Sequence, residues 1–170
     1  KEHSAEAESF IAGILNRAAE ITAFLNPLAN SYERFGSFEA PRYITWSHQN
    51  RSPLIRIPAA KGEYARMELR SPDPSCHPHL AFALLIFAGL EGIERKLPLC
   101  PPVDGNLYAA EQSRLEGLSS LPATLGEALE LAKNSEFVKA CLPASMLKNY
   151  ISVKEKRWQA YCTAQDKQAY

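Results

Sequence analysis

The spacing of apolar positions in this chain changes period twice. From Ser4 to Leu25, Phe10, Ile14, Ala18, Ile21 and Leu25 recur at helical spacing and predict one helix with a core-facing stripe. Ser4 is the candidate N-cap, although Ala7 stands where a capping box would have Glu. Asn26-Pro27 ends the helix, because the residue before proline disfavours helical angles. Asn30 to Pro41, punctuated by Asn30, Ser31, Gly36, Ser37 and Pro41, predicts a loop, and Tyr43 to Ser47 a short β-prone run. The period then falls to two. In Leu54–Ile57, Ile55 and Ile57 alternate with Arg56; in Ala65–Arg70, Met67 and Leu69 alternate with Arg66, Glu68 and Arg70. The intervening Pro58–Tyr64, with Gly62, predicts a β-hairpin with a loop longer than a tight turn.

Helical spacing returns at His77–Leu97, where Pro78 suits the first turn. Leu80, Phe82, Leu84, Leu85, Ile86, Phe87 and Leu90 are apolar nearly all round, which predicts a buried N-terminal half. Past the Pro-rich Pro98–Pro102 and the Asp104-Gly105 turn, helices are predicted at Leu125–Lys133, Glu136–Cys141 and Ser145–Ala164. Thr124 and Glu127 form a capping box for the first of these. Met146, Tyr150, Val153, Trp158 and Tyr161 form the expected core stripe of the last. The elements together predict an α+β fold. A small, mostly antiparallel sheet holding the hairpin at about 54–70 packs on the Ser4–Leu25 and His77–Leu97 helices, with a helical C-terminal part.

The hairpin also concentrates charge. If its apolar faces meet a core, Arg56, Arg66, Glu68 and Arg70 share the opposite face. Three guanidinium groups to one carboxylate exceed ordinary surface pairing. Arg is the residue that binds phosphate and carboxylate bidentately, so this face predicts an anion pocket, with Glu68 available to a hard cation such as Mg²⁺. The loop before it carries Arg34 and Glu39, positioned to act as a flap over that pocket.

Composition narrows the partners. The chain has 170 residues, 46% of them hydrophobic, enough for one ordinary domain. Nineteen basic and nineteen acidic residues give zero formal net charge, which argues against a nucleic-acid surface. Cys76, Cys100, Cys141 and Cys162 show no CxxC spacing, so neither a zinc site nor a disulfide framework is predicted and a reducing cytoplasm is expected. The charged N-terminus lacks a signal-peptide core, and Leu80–Leu90 is too short to span a bilayer, so no membrane role is expected. His77 and His79 at i and i+2 diverge on a helix and make a poor metal pair.

Five segments, in order, resemble one family. NPLANSYERF, FEAP, WSHQNRSPLIRIP, RMELRSPDP and PHLAFALLIFAGLEGI are similar to successive motifs in the C-terminal part of the catalytic domain of bacterial type I glutamine synthetases. The resemblance covers nearly all of residues 1–170. It implies ATP-dependent joining of ammonia to glutamate through γ-glutamyl phosphate, with Mg²⁺ or Mn²⁺. By motif position it implies that Arg34, Glu39 and Arg70 bind glutamate and that Arg51, Arg56 and Arg66 bind ATP. Glu68 would be a metal ligand. Glu39 would also assist ammonium deprotonation, and Arg56 would act on the transferring phosphoryl group. Two departures stand out: Glu33 replaces a usual Lys, and Gly36-Ser37-Phe38 replaces the commoner Pro-Gly-Tyr. Tyr108, in NLY, resembles a tyrosine that some members adenylylate, but Ala109, Ala110 and Glu111 follow it instead of Asp-Leu-Pro.

The family's N-terminal β-grasp domain and the first part of its catalytic domain, with further metal ligands, have no counterpart here. The resemblance therefore implies a chain that is inactive alone and a parent that assembles as a dodecamer. Alternatives within the fold are a γ-glutamyl ligase for a polyamine or another amine. Outside it are a non-catalytic structural relative, which should have lost several of these charged residues, and a simple nucleotide-binding module.

Overall fold

The structure, a computed structural model, describes residues 3–37, 39–60, 62–165 and 167. Phe38 of the flap motif and Lys61 of the hairpin loop lie outside the described residues. Helix α1 (Ala5–Leu25) begins where Ser4 Oγ accepts a hydrogen bond from the Ala7 amide at 3.2 Å. It ends at Asn26, as the following proline requires. A 3₁₀ turn over Ala29–Arg34 and three short strands follow: β1 (Trp46–His48), β2 (Ile55–Ile57) and β3 (Glu68–Leu69). Helices α2 (Pro78–Glu94), α3 (Gln112–Leu115), α4 (Leu125–Asn134), α5 (Glu136–Cys141) and α6 (Ala144–Thr163) complete the α+β fold.

The sheet order is β1-β2-β3. The predicted antiparallel pairing is present between β2 and β3, with Ile55 opposite Leu69 and Arg56 opposite Glu68. The expected mostly antiparallel sheet needs correction, because β1 runs parallel to β2, pairing Trp46 with Ile55 and His48 with Ile57. A parallel return needs a connection that travels back along the strand. Three-residue strands are only about 10 Å long, and residues 49–54 reach about 20 Å, so a short loop suffices. Gln49 starts that return at φ 62°. The extended run Ala65–Arg70 also shrinks to two ladder residues, and a 3₁₀ turn occupies Gly62–Tyr64.

Helix α1 is the spine. Its first half (Ile11, Ile14, Leu15, Ala18) packs with Trp46, Leu54, Ile55 and Ile57 of the sheet region. Its second half (Ile21, Phe24, Leu25) packs with Leu84 of α2 and with Leu125, Leu129, Val138, Leu147 and Ile151 of the C-terminal helices. Helix α2 crosses α1 in backbone contact. A Cβ on Gly13 would fall inside the Ala88 carbonyl oxygen and 2.9 Å from the Gly92 Cα. One on Gly92 would fall inside the Ser9 carbonyl oxygen and 2.8 Å from the Gly13 Cα. Glycine at both positions is therefore a packing requirement.

Two expectations fail on the helices. The N-terminal half of α2 is buried on one face only. Ala81, Leu84 and Ala88 lie inside, whereas Phe82 is 64% exposed and Ile86, Phe87 and Leu90 are also exposed. On α6, Met146 and Val153 are exposed, whereas Tyr150, Trp158 and Tyr161 pack inward as expected, together with Leu147 and Ile151. Leu147 and Ile151, one turn apart, take the inward places expected of Met146 and Val153.

An ion pair adds to the α1–α2 crossing. Arg17 Nε and Nη2 donate to the two carboxylate oxygens of Glu91, both at 2.7 Å. These bonds hold the Glu91 carboxyl below its ordinary 4.5. A depressed folded pKa means stabilisation that is present above 4.5 and lost as pH falls through the lower folded value. Glu91→Gln should therefore lower the melting temperature at neutral pH. Its gap from the unsubstituted protein should close in acid, as followed by thermal unfolding across a pH series.

Candidate functional site

Strand register builds the first half of the site. Because Arg56 on β2 is directly opposite Glu68 on β3, their side chains leave the same face side by side. Arg56 Nη1 donates to Glu68 Oε2 at 2.8 Å, and Arg56 Nε donates to the Gln49 carbonyl at 3.0 Å. Arg66 Nη2 donates to the other Glu68 oxygen at 3.1 Å. Both oxygens of Glu68 thus carry a guanidinium. Among the described residues no group of three His, Cys, Asp or Glu could hold a metal. Glu68 is one oxygen donor where a hard cation takes six or more, so this chain does not by itself fit a metal centre. His77 and His79 are exposed, with ring centroids 5.3 Å apart.

The flap supplies the second half. Gly36, at φ 87°, turns the chain so that its amide donates to the Ala40 carbonyl at 2.9 Å. Glu39 occupies the left-handed region at φ 61°, which is costly for a residue with a Cβ. Its carboxylate reaches two guanidinium groups. Oε1 lies 3.5 Å from Arg51 Nη1, and Oε2 lies 3.8 Å from Arg70 Nη2. Arg70 is held by its backbone amide to the Leu54 carbonyl, continuing β3. Its side chain is only 13% exposed, and its Nη1 is buried with no hydrogen-bond partner among the described residues. A buried, unpaired guanidinium nitrogen is costly in an empty site and is satisfied by an anion.

Arg34 stands apart from these groups. Its Nη2 donates to Asn26 Oδ1 at 2.6 Å and to the Ser71 carbonyl, and its Nε is 3.9 Å from Asp73 Oδ2. Burial works to raise the Asp73 carboxyl, but hydrogen bonds from Ser75 and Ser31 and the Arg34 charge outweigh it and hold it low. Arg34 therefore leans on the backbone next to Arg70 without touching Glu39 or Glu68. Of the seven residues singled out from sequence, six fall into two clusters, Glu39/Arg51/Arg70 and Arg56/Arg66/Glu68. The seventh, Arg34, meets Asn26, Ser71 and Asp73 instead.

Three contributors were not legible as such. Asn50 and Ser52, flanking Arg51, dock the loop onto residues 105–107. Asn50 Nδ2 donates to the Gly105 carbonyl at 2.5 Å, and Ser52 Oγ accepts from the Leu107 amide at 2.9 Å. Between these two anchors Arg51 projects, 60% exposed. The same docking brings Tyr108 to the rim, its hydroxyl 3.5 Å from the Arg51 carbonyl. Burial pushes the Tyr108 phenol up, while Arg70 pulls it down and Glu39 pushes it up. In the Asn-Arg-Ser triplet only the arginine carries a charge that the sequence marks; its neighbours act through contacts more than fifty residues away. A groove of about 620 Å³ runs past Arg66, between His48-Gln49, Ile57–Ala60 and the start of α1.

Residues 1–170 match the family model described as glutamine synthetase, catalytic domain. A glutamine synthetase of Methanosarcina mazei is 47% identical over 161 residues, covering 93% of this chain and 36% of that protein. One of Thermus thermophilus is 44% identical over 155 residues, covering 89% and 35%. Among solved structures, a GmaS/ADP complex superposes with a TM-score of 0.84 at 29% identity, covering 97% of this chain and 38% of that one. The chain thus spans about a third of the length of the relatives it matches, and no helix among its described residues is long and apolar enough to cross a membrane. With its whole length matched by the model and its motifs in order, the chain belongs to the glutamine synthetase catalytic-domain family.

Proposed function

We propose that this chain is the C-terminal part of the catalytic domain of a type I enzyme that joins ammonia to glutamate at the expense of ATP. The activity is that of the parent polypeptide, of which the chain's relatives suggest about a third is present. The carrying observation is Arg70, whose buried, unpaired Nη1 sits beside the flap carboxylate Glu39.

In this reading Arg70 and Arg34 hold glutamate carboxylate oxygens. Arg51, Arg56 and Arg66 face the phosphates, and the groove beside Arg66 takes the nucleoside. The γ-carboxylate attacks the γ-phosphorus of ATP, ADP leaves, and ammonia then displaces phosphate from γ-glutamyl phosphate. Such transfer needs positioning and charge neutralisation, which fixed guanidinium groups provide. Glu39, at the tip of the flap, covers the pocket and accepts a proton from ammonium. Mg²⁺ or Mn²⁺ belongs to the parent's complete site, to which Glu68 would contribute a carboxylate ligand. The same resemblance supports a cytoplasmic, dodecameric parent.

The neighbouring GmaS structures, of a γ-glutamylmethylamide synthetase, favour one second reading, a ligase for an amine other than ammonia. The glutamate half of the chemistry is shared, so the named arginines do not discriminate. Full-length protein supplied with ATP, glutamate and either ammonium, methylamine or a polyamine should release phosphate fastest with ammonium. Preference for methylamine or a polyamine overturns the choice of amine. No glutamate-dependent phosphate release with any of them overturns the ligase reading.

A further inference from the structure

One face of α6 carries a row of polar groups that the chemistry above does not use. Tyr150 Oη donates to the Ala23 carbonyl at 2.9 Å, Lys154 Nζ donates to the Pro27 carbonyl at 2.8 Å, and Tyr161 Oη donates to Glu33 Oε1 at 2.6 Å. At 3.6 residues per turn these three positions lie within about 40° of one another around the helix. Their acceptors run in the same order along the chain, from the end of α1 to the residue before Arg34. Helix α6 therefore lies along the segment that leads into the flap and grips it at three points.

The last grip has a charge consequence. Glu33 and Arg34 are neighbours on a 3₁₀ turn, where successive side chains point about 120° apart. Glu33 is exposed, so little else restrains it. Glu33 is the residue next to Arg34 in the chain, and the Arg34 guanidinium already lies 3.9 Å from one carboxylate, that of Asp73. A second carboxylate on Arg34 would cancel the positive charge offered to a substrate carboxylate. Tyr161 holds that carboxylate on the α6 side instead.

We propose that Tyr161 and Glu33 are positioning residues: the C-terminal helix keeps the Glu33 carboxylate off Arg34 and so sets the affinity for the carboxylate substrate. The inference rests on the ligase reading, in which Arg34 serves glutamate. Steady-state kinetics on the full-length protein tests it, with KM for glutamate, KM for ATP and kcat measured for four proteins. Tyr161→Phe should raise KM for glutamate about five- to tenfold, the scale of one charged interaction. Its kcat and KM for ATP should stay within about twofold. Glu33→Gln, whose amide oxygen still accepts from Tyr161 and carries no charge, should behave like the unsubstituted protein. The double variant Tyr161→Phe/Glu33→Gln should return KM for glutamate to near its starting value, because no carboxylate is left to release.

A purely structural grip predicts the reverse, a double variant as impaired as Tyr161→Phe, with KM and kcat moving together. That result overturns the proposal, as does an unchanged KM for glutamate in Tyr161→Phe. If Tyr161→Phe does not fold, Glu33→Ala still tests it: loss of the carboxylate should leave KM for glutamate unraised, and a several-fold rise overturns the proposal. Absence of glutamate-dependent turnover in the unsubstituted protein overturns the ligase reading itself, and this inference with it.

Discussion

Gly92→Ala should lower the melting temperature, although alanine is the better helix former. Gly92 lies inside α2, where glycine-to-alanine replacement ordinarily stabilises by about 1 kcal/mol. Here the new methyl would enter the Ser9 carbonyl oxygen and approach the Gly13 Cα to 2.8 Å. Both neighbours are backbone, so relief requires moving α1 off α2. Overpacking of this kind costs about 3 kcal/mol, and for a domain of this size that is a drop of about 6–12 °C. Gly13→Ala should act in the same direction, and the pair should be strongly non-additive, because the first substitution already separates the helices. Gly105→Ala is the control. Its nearest atom would be an Arg114 guanidinium nitrogen at 3.6 Å, an ordinary contact, so its melting temperature should scarcely move. Circular dichroism on the three variants decides the matter; a rise in melting temperature for Gly92→Ala would show that the helices do not cross this closely.

Arg70→Ala should remove most activity from the full-length protein while leaving its stability nearly intact. Among the described residues the Arg70 side chain has a single ion pair, at 3.8 Å to a Glu39 carboxylate that is itself 62% exposed. Pairs of that kind contribute about 0–1 kcal/mol. Its Nη1 has no partner among the described residues, so truncation leaves no buried acceptor stranded. Toward substrate the balance is different. A desolvated guanidinium aimed at a charged substrate is worth about 3–4 kcal/mol, so kcat/KM for glutamate should fall about 10²- to 10³-fold. Arg70→Lys should recover little, since an ammonium cannot present two parallel donors to a carboxylate. Steady-state kinetics and thermal unfolding, measured on the same preparations, should separate the two effects. Full activity in Arg70→Ala would remove Arg70 from the substrate site and with it the main support for the functional reading.

Local signals in the sequence were enough for the elements. Ser4 caps α1, Asn26-Pro27 ends it, and Thr124 with Glu127 caps α4, as their spacing predicts. The capping box differs in one bond: Glu127 Oε2 accepts from the Ala123 amide at 2.8 Å, one residue before the cap. These features act over three or four residues, so spacing alone contains them. The charged face of the hairpin was legible for a similar reason. Alternation puts Arg56 on one side and Ile55 and Ile57 on the other whatever strand lies alongside.

The strand partner itself was not legible, and neither was the buried side of α2. A helix that is apolar nearly all round has no phase for its inner face, so Phe82 and Ile86 looked as buried as Leu84. Small residues decided the question. Gly13, Gly89 and Gly92 let α1 and α2 approach along the Ala88–Gly92 edge and turned Phe82 and Ile86 outward.

By itself the sequence determined the family, the helix ends and which charged residues share a strand face, because each of these depends on residue type and short spacing. Only the tertiary structure decided how the charges divide. It set Glu39 between Arg51 and Arg70, gave Glu68 to Arg56 and Arg66, and turned Arg34 back toward Asn26 and Asp73. It also tied Glu33 to Tyr161, 128 residues away. Which carboxylate a guanidinium meets depends on distances across the fold, and no local spacing carries that information.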